Sequence, residues 1–207
     1  VVGGLLARGA RVHIPVMHAR ELEGFPYLDQ VRTQEGVDLR DEASSAAFYG
    51  SVPGALYASI HLAGGFSMGP FTETSLADYQ KLVDLNVTTC FLSCREALKR
   101  MTGEGRLVNV AAKPALVPTG GLVAYAATKA AVAGLTLALA EEVSPRGIWV
   151  NAVVPSIMNT PANVASMPDA DHSAWPTTDD VAATITFLAS PQNRVTRGAL
   201  VPVYGRS

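Results

Sequence analysis

Short apolar, β-branched runs alternate down the chain with longer stretches whose apolar residues recur every three to four positions. The runs Arg11 to Val16, Val31 to Leu39, Ala55 to Leu62, Arg106 to Ala111, Ile148 to Val153 and Ala199 to Val203 are predicted to contain strands. Val1 to Arg8 reads as the tail of a helix stopped at Gly9, and Glu42 to Tyr49, Leu76 to Met101, Val123 to Val143 and Thr178 to Ala189 read as helices. Pro155 to Pro176 is expected to be a long irregular segment. Strands that are apolar almost throughout are buried on both faces, which implies a parallel sheet with helices on either side. Ligands of such sheets bind beyond the carboxyl ends of the strands. Asp38, Ala63-Gly64-Gly65, Ala111-Ala112 and Pro155-Ser156 all fall there.

Composition narrows this picture. The 207 residues are 48% hydrophobic and 16% charged, enough for one well-buried α/β domain spanning 1-207. Sixteen basic and eighteen acidic residues give a net charge of −2 without long runs of either sign, which argues against a nucleic-acid surface. No basic segment followed by an apolar one opens the chain, so no signal peptide is read. The longest apolar region, Gly120 to Ala140, carries Lys129 at its middle and reads as a buried helix, not a membrane span. Cys90 and Cys94, one helical turn apart, are too few for a disulfide framework and are expected to pack in the core or an interface. A soluble, reducing, cytoplasmic setting fits these features.

Tyr125 and Lys129 carry the chemistry. Residues at i and i+4 share a helix face with Cβ atoms about 6 Å apart. An ammonium beside a phenol favours the phenolate, so Tyr125 is expected to give or take a proton near neutral pH in a carbonyl or imine reduction. Spacing alone also fits a Lys snorkelling past an amphipathic Tyr. His13 and His61 are expected to be core or turn residues, with no second ligand at metal spacing, and no metal is expected. Lys113 is expected to be solvated, with reach to the mouth of the site as the alternative, whereas Trp175, beside His172, either stacks on a flat heterocycle or anchors its loop.

In this order the end-of-strand features resemble the short-chain dehydrogenase/reductase family, whose members bind NAD(H) or NADP(H) on a Rossmann-type sheet. Asp38, followed by Leu39, resembles the family's adenine-contacting Asp, and Ala63-Gly64, followed by Gly65, the end of its Asn-Asn-Ala-Gly turn. Asn86 resembles its helix Asn, Tyr125 and Lys129 its Tyr-x-x-x-Lys pair, and Pro155 with Thr160 its Pro-Gly segment and nicotinamide-contacting Thr. The resemblance implies Tyr125, Lys129 and Asn86 as catalytic residues, with Lys129 lowering the Tyr125 pKa and Asn86 orienting Lys129 through water. Three further stretches, His61 to Phe66, Ala111 to Leu116 and Asn159 to Trp175, resemble dihydropteridine reductase-like members of the family.

Two departures shape the functional expectation. Most of the family place a substrate-polarising Ser thirteen residues before the Tyr, where this chain has Ala112. Dihydropteridine reductase-like members share that loss, because a quinonoid pterin is already activated. The family also opens with a strand and a Gly-rich, pyrophosphate-binding turn. This chain begins inside the following helix, so the fold expected is a Rossmann-type, doubly wound, mainly parallel sheet lacking its first strand, N-terminally incomplete, with unpaired edges where that strand would lie. Gly3 and Gly4 are not expected to replace the turn. With no acid before Glu21, His18 and Arg20 lean toward the 2′-phosphate of NADP, while the pteridine-reductase likeness implies NAD.

The function expected is NAD(P)H-dependent reduction of a small planar activated C=N or C=O acceptor, with a pteridine-like one implied by the resemblance, by a homodimer or homotetramer. The rivals are a broad-specificity carbonyl reductase or alcohol dehydrogenase, and a non-catalytic assembly subunit.

Overall fold

The computed structural model describes residues 1–207. Four parallel strands, β3 (Ala58–His61), β4 (Gly105–Val110), β5 (Ile148–Pro155) and β6 (Leu200–Val203), form one sheet in that order. β1 (His13–Pro15) and β2 (Arg32–Gln34) pair in parallel as a second. β1 and β3 do not pair, and both line one cavity of about 740 Å³ together with Val1, Val2 and Leu5. Those two unpaired edges match the sequence expectation for the first strand's place.

Alternation along β4 explains the two covered faces. Leu107 packs into a cluster with Phe48, Tyr49, Cys90, Cys94, Val132 and Val150, whereas Val108 packs with Val153, Val181, Ile185 and Leu188 on the opposite side. The first cluster is roofed by α2 (Glu42–Ser51), α4 (Thr89–Arg100) and α5 (Val123–Val143), the second by α7 (Thr178–Leu188). α1 (Val2–Leu6) rests on α7, where Gly4 comes so close that a Cβ would stand 2.9 Å from Thr186 Oγ1. A Cβ on Gly3 would collide with the Tyr27 hydroxyl, so both glycines serve helix packing.

Two local differences from the sequence expectation have physical causes. The long helix expected over Leu76 to Met101 is α3 (Leu76–Val83), a π-helical turn (Asp84–Thr88) and α4. The wider turn carries Asn86, whose side chain is fully engaged with its neighbours, and one-turn π insertions recur at functional sites. The segment Pro155 to Pro176 contains α6 (Pro161–Ser166), started by Thr160 accepting from Asn163 N–H and by Pro161 at the first helical position. Helix Val123–Arg146 is long and apolar enough by composition to cross a membrane, yet Val132, Ala140 and Val143 pack in the core against β4 and β5.

Candidate active site

Tyr125 stands in the first turn of α5, half-buried, and Lys129 follows one turn later at 6% exposure. Lys129 Nζ donates to Val110 O at the carboxyl end of β4 (2.9 Å) and lies 6.0 Å from the centre of the Tyr125 ring. The pair therefore shares one side of the helix above the sheet's carboxyl edge, as the spacing predicted. The electrostatics differ from expectation. Burial lowers Lys129 to about 8, and burial raises Tyr125 above its ordinary value. Desolvation outweighs an ammonium whose hydrogen bond is directed at a carbonyl and not at the phenol. Tyr125 is thus a neutral phenol at pH 7, charged with a proton to give.

Asn86 does not reach toward Lys129 with a polar contact of its own. Its Oδ1 accepts from Gly65 N–H (3.0 Å), and its Nδ2 donates to Gly65 O (3.0 Å) and Thr128 Oγ1 (3.1 Å). Thr128 in turn donates to Tyr125 O (2.8 Å). Its direct contacts give it a further role beside the water-mediated one expected: Asn86 clamps the Gly64-Gly65 turn to α5, one residue from Lys129. The clamp explains the glycines. A Cβ on Gly64 would lie 2.7 Å from Asn86 Oδ1 and 3.4 Å from Lys129 Nζ, and one on Gly65 would lie 2.7 Å from Leu85 Cδ1. Gly64→Ala is expected to cost about 1–3 kcal/mol through this overpacking and to weaken dinucleotide binding, measurable by thermal denaturation and NADPH titration; an unchanged melting temperature and affinity would remove the clamp from the site.

The remaining predicted residues ring the same edge. Asp38 lies beyond β2, where Arg40 grips its carboxylate through Nε and Nη2 (both 2.8 Å) and holds its pKa below the usual range. Leu39 turns into the core beside α2. Ala63 and Gly64 are exposed after β3, Pro155 ends β5, and Thr160 caps α6. His18 and Arg20 are exposed in the turn after β1, and the Glu21 carboxylate folds back to accept from His18 N–H (3.0 Å). Ala112 is 6% exposed and opens the 3₁₀ turn Lys113–Ala115 that packs on α5, so no hydroxyl faces the substrate there. Lys113 lies over the Tyr204 ring at 5.0 Å and is therefore not simply solvated.

Trp175 is the loop anchor, buried and edge-on to His172 at 4.7 Å, with His172 Nε2 bonded to Met167 O (2.7 Å). The aromatic residue beside the reacting phenol is Phe66, which sequence reasoning missed. Its ring meets Tyr125 edge-on at 5.0 Å while remaining 62% exposed. The available signal was Phe66, Met68 and Phe71, a run of large apolar residues in a glycine-rich loop with no core to fill. Gly69 N–H donates to Gly121 O (2.8 Å), tying this loop to the segment before α5, where Leu116 and Val117 are also exposed. A second missed feature concerns His61: the ligand atoms of Cys90 and Cys94 lie within 4.8 Å of it and of each other, a convergence of α4 on β3 that linear spacing cannot reveal.

Gly64, Tyr125, Lys129, Pro155 and Thr160 thus gather at the carboxyl ends of the strands, where sheets of this kind bind their ligands, with Asp38 beyond β2. A family model described as Enoyl-(Acyl carrier protein) reductase matches residues 5–205. The chain is 31% identical over 188 residues to 3beta-hydroxysteroid dehydrogenase 1 of Eggerthella lenta, covering 84% of this chain and 70% of that protein. It is 33% identical over 162 residues to 2,5-dichloro-2,5-cyclohexadiene-1,4-diol dehydrogenase of Sphingobium indicum, covering 73% of this chain and 65% of the relative. The chain thus spans about two thirds of these relatives' lengths. Among solved structures, a blue fluorescent protein from a metagenomic library in complex with NADPH superposes with a TM-score of 0.85 at 28% identity, over 99% of this chain and 90% of that one. A short-chain type dehydrogenase/reductase from Mycobacterium ulcerans gives 0.87 at 26%, over 98% and 82%.

Proposed function

The chain belongs to the short-chain dehydrogenase/reductase family of oxidoreductases, and from that premise we propose that it reduces a small planar activated C=N or C=O acceptor, pteridine-like in character, using NAD(P)H. The observation that carries this reading is Tyr125 and Lys129 set over the Gly64-Gly65 turn, with Ala112 where a polarising hydroxyl would be needed for an unactivated ketone.

The dinucleotide, when bound, supplies the hydride; the chain supplies position and a proton. Tyr125 Oη, kept protonated by burial, delivers its proton to the nitrogen or oxygen that becomes electron-rich. Lys129, bonded to Val110 O, holds charge beside the phenol and would hold the ribose, while Asn86 fixes the Gly64-Gly65 turn that would receive the cofactor. Phe66 covers Tyr125 and presents an apolar edge to a flat ring. For the cofactor, the engaged Glu21 and exposed Arg20 favour NADPH, as does the NADPH carried by the metagenomic relative. Saturable quenching or enhancement of NADPH fluorescence separates this reading from a non-catalytic assembly subunit. The same reading takes the chain as a homodimer or homotetramer built through α4 and α5, whose Phe91 and Leu137 are exposed, to be checked by light scattering.

A second reading has its own support. Phe66, Met68, Leu116 and Val117 make the mouth apolar enough for a larger alicyclic substrate, and curated relatives include hydroxysteroid and cyclohexadienediol dehydrogenases. Comparing quinonoid dihydropterin with simple ketones and a hydroxysteroid decides between them. Ala112→Ser is expected to raise turnover of a simple ketone about 10²-fold, the worth of one oxyanion-type donor, with little effect on a quinonoid acceptor. Equal gains on both substrates would defeat the activated-acceptor reading.

A further inference from the structure

Beneath the active-site turn lies a polar cluster that the redox chemistry does not use. His61 ends β3, Cys90 and Cys94 lie one turn apart on α4, and Asn109 is on β4. Exposure is 8% for His61, 5% for Cys90, 2% for Cys94 and zero for Asn109. We propose that His61, Cys90 and Cys94, with the Asn109 carboxamide oxygen as fourth donor, form a closed binding site for a thiophilic divalent cation of the zinc class.

The geometry favours this over two thiols merely filling space. Cys94 Sγ is 3.5 Å from both His61 Nδ1 and Asn109 Oδ1. Bonds of about 2.3 Å to sulfur and 2.0–2.2 Å to nitrogen or oxygen, at tetrahedral angles, place such donor atoms roughly 3.5 Å apart. The sulfur of Cys90 completes a set in which the His and Cys ligand atoms all lie within 4.8 Å of one another. The His61 Nδ1 to Asn109 Oδ1 separation, a 2.7 Å hydrogen bond, must open as the ion enters between them.

The surrounding residues suit a bound imidazole. Asn109 Nδ2 donates to Thr136 Oγ1 (2.9 Å), which turns Oδ1 toward His61. His61 Nε2 meets Ser59 Oγ at 2.9 Å, and Ser59 Oγ meets the Tyr49 hydroxyl at 2.9 Å. Hydroxyls both donate and accept, so this chain serves either tautomer: Nδ1–H bonded to Asn109 without metal, or Nε2–H donated to Ser59 while Nδ1 binds the ion. Two thiolates, a neutral imidazole and an amide around a dication sum to zero charge. A site as buried as this one requires that balance. Bound metal would tie α4 to β3 and to β4 at Asn109, the residue before Val110, whose carbonyl receives Lys129.

The test uses the reduced full chain, unfolded and refolded with one equivalent of Co²⁺ so that burial does not limit entry. Thiolate-to-cobalt charge-transfer absorption with intense tetrahedral d–d bands is expected at one ion per chain, displaced by Zn²⁺. The Cys90→Ser/Cys94→Ser double variant should lose both bands, and Ser59→Ala, which leaves all four donors, should weaken Zn²⁺ roughly 10–100-fold in chelator competition. Absence of thiolate bands in the unmodified chain overturns the proposal, as does their persistence in the double variant. Neither result bears on the oxidoreductase reading, because no activity is measured.

Discussion

Tyr125→Phe is expected to reduce turnover roughly 10²–10⁴-fold, the usual worth of a positioned proton donor, while NADPH affinity stays close to that of the unaltered enzyme. The substitution removes one oxygen and keeps the ring, so the edge contact with Phe66 at 5.0 Å and the ammonium of Lys129 at 6.0 Å survive. The backbone carbonyl that receives Thr128 is untouched as well. Because burial raises the phenol's pKa, the proton needed for reduction is in place across the neutral range, whereas oxidation of an alcohol must first remove it. Reductive turnover should therefore be flat between pH 6 and pH 7, below the Lys129 transition near 8, and oxidative turnover should climb with pH. Steady-state rates in both directions provide the check; a Phe variant within a few-fold of the parent would strip Tyr125 of its role.

Lys129→Met is expected to abolish activity and, in cofactor-free protein, to raise stability. Burial brings Lys129 from its ordinary 10.5 down to about 8. Between those values the unfolded chain binds a proton that the folded chain does not, so folding stability rises with pH through that window. Below pH 8 both states are protonated and the folded state bears the whole cost of the buried ammonium, on the order of 3 kcal/mol. Methionine removes that cost but loses the 2.9 Å bond to Val110 O, leaving a gain of about 1–3 kcal/mol at pH 7. Urea unfolding at pH 7 and pH 10 tests both parts: the variant should be the more stable at pH 7, and the difference should shrink toward pH 10. A destabilised variant at pH 7 would mean that the hydrogen bond outweighs the desolvation. A residue that costs stability and confers activity is the expected trade at a working site.

The active-site polar residues were readable because each sits at a strand end or on one helix face, and both periodicities are local. Ile148 to Val153 is apolar almost throughout and lies within β5, and Val123 to Val143 has the same limits in sequence and structure. The π turn at Asn86 was hidden, since one extra residue in a helix leaves the apolar spacing on either side intact. The Asn86 clamp was hidden with it, because Gly65 is 21 positions away and meets Asn86 only once β3 and the helix pack. The sequence left Trp175 open between stacking and anchoring and gave Phe66 no role, for a similar reason: both are large aromatics in loops, and only the fold decides which one the core absorbs.

The sequence by itself determined the layer order, the parallel sense of the strands, and the placing of a phenol and an amine one turn apart, since these follow from patterns a few residues long. Tertiary structure decided the ionisation of that pair and the meeting of His61 with Cys90 and Cys94. Both depend on how much water is removed and on which distant segments converge, and neither quantity is written in any local window of the chain.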